Sequence, residues 1–276
     1  MKQLRSRFIA GLAGLLFACM ATAKLFVPDA EPWDMWIIAD QTNPASIDHS
    51  GWQQVLNLYL DDDAADGINR FDYASVTAAD RVRLDEYISR LAAIDPRDYK
   101  RIEQLAYWVN LYNAVTVQVV LENYPVQSIR SIQGGMLSLG PWNELLVTVA
   151  GQPLSLNDIE HRILRPIWQD ERIHYVVNCA SLGCPNLAAQ VYTAANAEQL
   201  LDAGARAYIN HPRGVEFVDG KLRLSSIYSW YDIDFGGNQA ERIEHLRAFA
   251  EPVLKDQLDG YNGKINYSYD WQLNGL

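Results

Sequence analysis

The sequence predicts an α+β domain. Three observations carry this. Apolar residues cover most of a helical circumference from Tyr99 to Tyr124. The β-like segments are short, few and separated by helical patterns. Hydrophobic residues make up 49% of the chain, ample for a packed core. The expected architecture is a long buried central helix, with surrounding helices packed on a small, mainly antiparallel sheet. The 276 residues fit one large domain or one domain with a helical extension. They divide into a leader (1–23), an arm with helices packed on the core (24–98), the core (99–260) and a tail (261–276).

Lys2, Arg5 and Arg7 precede an uncharged apolar run, Phe8 to Met20, and Ala21-Thr22-Ala23 supplies small residues for cleavage. This is the pattern of a secretory signal peptide, and the run is short for a membrane span. Cys19 follows Leu16-Phe17-Ala18 in a loose likeness of a lipoprotein box, but Phe17 is bulky for that role. Cleavage after Ala23 is the expectation, with a periplasmic or secreted product. It would leave 20 basic and 34 acidic residues, a net charge of −14. Such a surface argues against nucleic acid and anionic lipid as partners. No other segment suggests stable membrane insertion, and Cys179 and Cys184 would meet an oxidising compartment.

Lys24 to His49 reads as an irregular arm. Trp52, Val55, Leu56, Tyr59 and Leu60 recur at helical spacing behind Asp48 or Ser50 as a cap. Asp61 to Asn69 resembles a calcium loop at first sight. With Gly67 at the sixth position, the third is Ala64 and the twelfth Tyr73, so a solvated acidic turn is expected. Phe71 to Val76 reads as extended. Thr77 caps a helix over residues 78–93, with Val82, Leu84, Tyr87, Ile88 and Leu91 on its buried side. The central helix follows and ends at Pro125. Residues 128–142 form a loop with one short apolar turn, and Leu145 to Val149 a strand. A helix from Ser155 or Asn157 buries Leu156, Ile159, Ile163 and Leu164 and places His161 and Arg165 on one face, with Asp158 a turn earlier. Tyr175 to Val177 reads as a strand running into a Ser/Gly/Pro loop. A helix over 196–209, a hairpin around Asp219-Gly220, the aromatic stretch Tyr228 to Phe235, a helix over 241–258 interrupted near Pro252, and a strand over 264–269 complete the chain.

Four stretches carry a resemblance. They are Tyr107-Trp108-Val109-Asn110-Leu111-Tyr112-Asn113-Ala114; Ile159-Glu160-His161 with Leu164-Arg165; His174 through Pro185; and Trp230-Tyr231 with Asp234-Phe235. In this order they resemble the motif set of the domain of unknown function 547, over roughly Tyr99 to Leu258. The resemblance implies a secreted bacterial protein and brings no established activity. A long helix on a small sheet is also loosely similar to papain-like and transglutaminase-like folds. Those normally place the cysteine at the start of the helix, whereas here the helix carries Asn110 and the cysteines come later.

The chemistry must therefore come from the residues. A nucleophilic thiol needs a base and an orienting acid. Cys179 with His161 is the leading pair, with Glu160 and Asp234 as orienting acids. His174 is the second histidine; on a regular strand it and Cys179 would face opposite ways. Backbone N–H groups of Ala180 to Gly183 are candidates for an oxyanion hole. Asn110, Asn113, Asn178, Ser181, Cys184, Trp230 and Tyr231 are the candidate substrate contacts. A thiol-dependent hydrolase or acyltransferase acting on an amide or ester is one reading, with a peptide, peptidoglycan or protein as substrate and no cofactor. The alternative is a binding module whose loop is stiffened by a Cys179–Cys184 disulfide. Zinc held by Cys179, Cys184, His174 and His161 is a third possibility, but the spacing matches no common zinc pattern. A redox role lacks the Cys-x-x-Cys spacing.

Overall fold

The computed structural model describes residues 28–132 and 140–276. The segment expected to be a signal peptide, with Cys19, and residues 133–139 lie outside the described residues.

The arm lies across the later helix that carries His161. Glu31 and Trp33 donate their backbone N–H groups to the carbonyls of His161 (3.2 Å) and Arg162 (3.0 Å). Helix α1 spans Ser50–Tyr59 with His49, rather than the expected Asp48 or Ser50, at its N-cap position; Asp48, one residue further out, accepts the Ser50 N–H at 2.8 Å. Strands β1 (Leu60–Asp61) and β2 (Arg70–Phe71) pair antiparallel. The acidic turn between them is tied by Asp66, which accepts from Arg70 at 2.6 Å. Helix α2 spans Ala78–Ala92, and the Thr77 side chain accepts from the Asp80 N–H. Val82 departs from expectation, being 54% exposed. The buried stripe is Leu84, Tyr87, Ile88 and Leu91. Val82 stands two residues before Leu84, about 200° away around the helix, so it faces solvent.

Helix α3, Arg101–Asn123, is the central helix. No residue from Leu105 to Val117 is more than 2% exposed. Buried amides on such a helix must find partners. Asn110 exchanges two hydrogen bonds with the backbone of Tyr192, at 2.7 and 3.0 Å. Asn113 donates to the Val176 carbonyl (2.9 Å) and accepts from the Asn178 N–H (2.8 Å). Both asparagines thus fasten later loops to the central helix.

Strands β3 (Val147–Val149) and β4 (Gln152–Leu154) form a tight hairpin. Ser155 and Asp158 then cap one another: Ser155 donates through N–H (2.9 Å) and hydroxyl (2.6 Å), and the Asp158 N–H donates back at 3.1 Å. The helix that follows is wound as a π-helix over Asp158–Leu164, continuing into α4, Arg165–Trp168. Its four expected apolar residues are all buried. Asp158 is engaged by Ser155 and by Arg162 (3.3 Å) rather than by His161 or Arg165.

The expected strand at Tyr175 to Val177 does not form. Glu171–Tyr175 is a 3-10 turn, and Val176 and Val177 both donate back to the Ile173 carbonyl, at 3.1 and 3.3 Å. The run is apolar because it is buried. Its further backbone partner is the Asn113 side chain, which replaces a neighbouring strand.

Helix α5 (Ala197–Ile209) precedes β5 (Val215–Val218) and β6 (Lys221–Ser225). Asp219 and Gly220 both have positive φ (50° and 72°), as the predicted two-residue turn demands. Then come α6 (Ile227–Trp230), α7 (Gln239–Phe249), α8 (Pro252–Leu258) and β7 (Ile265–Ser268). Strand β7 runs parallel to β6. The class is α+β, with its strands distributed over three small ladders, β1–β2, β3–β4 and β5–β6–β7, rather than one sheet. The main core surrounds α3. A smaller one gathers residues of α5, β5, β6, α7 and α8.

After β7 the chain crosses the cysteine loop. Leu182 and Gly183 donate to the carbonyls of Gln272 and Asp270, both at 2.8 Å, and Asn274 donates to the Ala180 carbonyl at 3.2 Å.

Candidate active site

One cavity of about 290 Å³ brings together Glu160, His161, His174, Cys179, Cys184, Trp230 and Tyr231. His174 and Cys179 line it together, because the turn at Glu171–Tyr175 breaks the alternation a strand would impose.

Cys179 is partly exposed, and both cysteines are free thiols. The Cys179 Sγ lies 2.8 Å from Cys184 Sγ, 3.0 Å from Tyr269 Oη and 3.2 Å from Ser181 Oγ. Burial pushes the Cys179 thiol up, but hydrogen bonds from Cys184, Ser181 and Tyr269 outweigh it, and the net shift is downward. Burial and the neighbouring sulfur push Cys184 the other way, so Cys184 keeps its proton. Burial and the two thiols likewise hold the Tyr269 phenol protonated. The pair is thus divided into a thiolate-prone sulfur and a proton-bearing one. Ala180, the next residue, sits at φ 54°, a left-handed conformation that costs a non-glycine residue about 1–3 kcal/mol and is common at functional sites.

Most of the N–H groups expected to form an oxyanion hole in this loop are already bonded. The Ala180 N–H donates to its neighbour Asn178 Oδ1 (2.8 Å). Those of Leu182 and Gly183 are taken by the tail. Three of the four N–H groups from Ala180 to Gly183 are thereby occupied. Asn178 spends its own amide on the Pro185 carbonyl (2.7 Å). Asn110, Asn113, Asn178 and Ser181 are not among the cavity-lining residues. The three asparagines hold the loop's shape, and Ser181 contacts the sulfur from behind. Cys184, Trp230 and Tyr231 do line the cavity, while their neighbours Tyr228 and Phe235 are core.

The opposite wall is a buried polar network. His174 Nε2 meets Asp234 Oδ2 at 2.7 Å, and Arg165 Nε donates to the same oxygen at 2.6 Å. Burial pushes the Asp234 carboxyl up, but His174 and Arg165 outweigh it and hold it far below the usual range. Arg165 Nη1 also donates to His161 Nδ1 (2.9 Å) and to the Pro28 carbonyl (3.0 Å). Burial lowers His161 from 6.5 to about 4, so it is neutral at pH 7. Glu160 accepts from Tyr112 at 3.1 Å and from Tyr231. Its Oε1 lies 3.9 Å from His174 Nδ1 and 4.0 Å from His161 Nδ1. Glu160 and His161 both sit in the π-helical segment, a winding often found at functional sites.

The rim is aromatic. Trp230 stacks on Trp271 (5.5 Å between ring centroids), and Tyr269 packs tilted against both, at 4.8 and 4.6 Å. The Arg130 guanidinium lies over Trp271 at 5.0 Å. Sequence reasoning missed Tyr269, Trp271 and Tyr112. The alternation Tyr267, Tyr269, Trp271 was a usable signal, since period-two aromatics point one way along an extended chain. Among the described residues, no group of three or more His, Cys, Asp and Glu side chains is placed to hold a metal ion. No described helix is long and apolar enough to cross a membrane.

Gly183 shows how closely the tail is applied. A Cβ there would stand 2.7 Å from both the N and the O of Asp270. Gly183→Ala is expected to cost about 1–3 kcal/mol, as overpacking does, and to loosen Tyr269 from Cys179. Thermal unfolding together with hydrogen exchange at the Leu182 and Gly183 amides checks this. Unchanged protection would mean that the tail does not hold the loop.

The fold and cavity define an α+β protein with a free thiol facing a buried histidine–carboxylate network. Residues 96–209 match the family described as protein of unknown function, DUF547. The Trp230-Tyr231 and Asp234-Phe235 motifs fall outside the matched residues, yet Tyr231 and Phe235 meet His174, and Asp234 meets Arg165, in space. No curated protein and no solved structure matches the chain.

Proposed function

We propose that the chain is an exported thiol-dependent hydrolase or acyltransferase acting on an amide or ester through Cys179. The observation that carries this reading is the Cys179 sulfur, ringed by three proton-bearing groups and opening into the cavity lined by Glu160, His161 and His174. In the step envisaged, the Cys179 thiolate attacks the carbonyl carbon. The amine or alcohol then leaves with a proton, giving a thioester. Water or an acceptor nucleophile attacks the thioester and restores the thiolate. His174, oriented by Asp234, and Glu160 are the groups that exchange protons. His161 suits the part of base poorly, because Arg165 occupies its Nδ1 lone pair. The aromatic rim suits a peptide or glycan-bearing substrate. Export rests on the N-terminal pattern alone. Incubation with p-nitrophenyl acetate and peptide mapping tests the thiol reading. An acetyl group on Cys179 is expected, and its absence refutes the reading.

The 2.8 Å between the two sulfurs also favours a second reading, a binding module with a Cys179–Cys184 disulfide. Oxidation by a small disulfide would transfer two electrons and two protons to that reagent. A zero thiol count on freshly purified protein, native and denatured, would move this reading to the front.

A further inference from the structure

We infer that His161 is a hydrogen-bond donor to the reacting carbonyl oxygen, locked into that part by Arg165. The inference rests on Cys179 being the nucleophile and assigns a group to a role for which three of the four loop N–H groups are already spent.

The argument starts from what a guanidinium can do. It has five N–H donors and no acceptor. Its 2.9 Å contact with His161 Nδ1 therefore fixes Nδ1 as the acceptor. A neutral imidazole carries one proton, so that proton sits on Nε2. Accepting a second proton at Nε2 is blocked, since Nε2 already holds one. Moving it to Nδ1 would set two donors against each other. Arg165 cannot readily turn away. It is 8% exposed, bonded to Asp234 and Pro28, and packed over the Tyr231 ring at 4.8 Å. His161 is thus held neutral, in one tautomer, within the same cavity as Cys179.

Acyl transfer needs donors where negative charge develops on oxygen. The N–H groups of Ala180, Leu182 and Gly183 are already bonded within the protein. With Cys179 attacking an ester, an S–C bond forms and the C=O π pair moves onto oxygen. His161 Nε2–H bonds to that oxygen and keeps its proton. The pair returns as the leaving group departs. Arg165 acts through His161 and is a positioning residue.

Two reagents on the full mature chain separate the roles. Alkylation by iodoacetamide needs the thiolate but develops no charge on a carbonyl oxygen. Acetylation by p-nitrophenyl acetate needs both. His161→Ala is expected to lower the acetylation rate about 10²–10³-fold, the usual effect of removing one oxyanion donor, and the alkylation rate far less. His161→Gln, which restores an N–H donor, is expected to recover part of the acetylation. Equal loss in both reactions would make His161 the base and overturn the inference, as would unchanged acetylation. A wild-type chain that reacts with neither reagent at Cys179 removes the thiol reading, and this role with it. Long-range proton–nitrogen NMR correlation on the unmutated protein gives an independent check, expected to place the His161 proton on Nε2. A proton on Nδ1 overturns the assignment.

Discussion

Cys179→Ser is expected to abolish acetylation by p-nitrophenyl acetate, lowering the rate by about three orders of magnitude or more, since a serine hydroxyl, unlike a thiol, is hardly ionised at neutral pH and is a weak nucleophile. The contrast with Cys184→Ser makes the result informative. Cys184 stands 2.8 Å from the reacting sulfur and keeps its proton, so its part is to donate to Cys179. A serine there still donates. Cys184→Ser is therefore expected to remain acylated at Cys179, whereas Cys184→Ala removes one of three donors and should raise the pH at which the thiolate forms. Reaction of Cys184 in the Cys179→Ser protein would reverse the assignment of the two sulfurs.

Acid is expected to destabilise the fold well before carboxylates are neutralised. Burial lowers both His49 and His161 from 6.5 to about 4. His49 Nδ1 shares a hydrogen bond with the Tyr87 hydroxyl (2.7 Å), and its Nε2 is buried without a protein partner. Between pH 6.5 and 4 the unfolded chain binds protons that the native protein excludes. Stability is therefore fully present above pH 6.5 and falls as the pH drops to 4, by up to ~3 kcal/mol for each histidine. Asp234 adds a second fall. Its folded carboxyl is held below its unfolded value, so its contribution is present above about pH 4 and is lost at lower pH. Urea unfolding at pH 7.5 and 4.5 should differ by several kcal/mol, and His49→Gln should flatten part of that slope. Equal stabilities at the two pH values would contradict the burial of neutral histidines.

Most of the scaffold was legible because it follows from periodicity and punctuation. The central helix, the Thr77 cap and the Asp219-Gly220 turn are each fixed by residues close in sequence. The pairing of His161 with Arg165 was legible for the same reason. What the sequence concealed depends on distant partners. Val176 and Val177 look like a strand, but their N–H groups turn back to Ile173, and the Val176 carbonyl is served by Asn113, more than sixty positions earlier. The oxyanion N–H groups looked available until the tail, about ninety residues later, took two of them. Tyr269 reaches Cys179 across the same gap. His174 and Asp234 were both singled out, but only the fold joins them at 2.7 Å.

The pH dependence of Cys179 alkylation by iodoacetamide, followed by mass spectrometry of its peptide, tests the reactive thiol most directly. A midpoint below the ordinary cysteine value of about 8.5 is the expected result. It would mean that the donors around the sulfur outweigh its burial. A midpoint at or above that value would leave Cys179 an inert buried thiol and contradict catalysis through it.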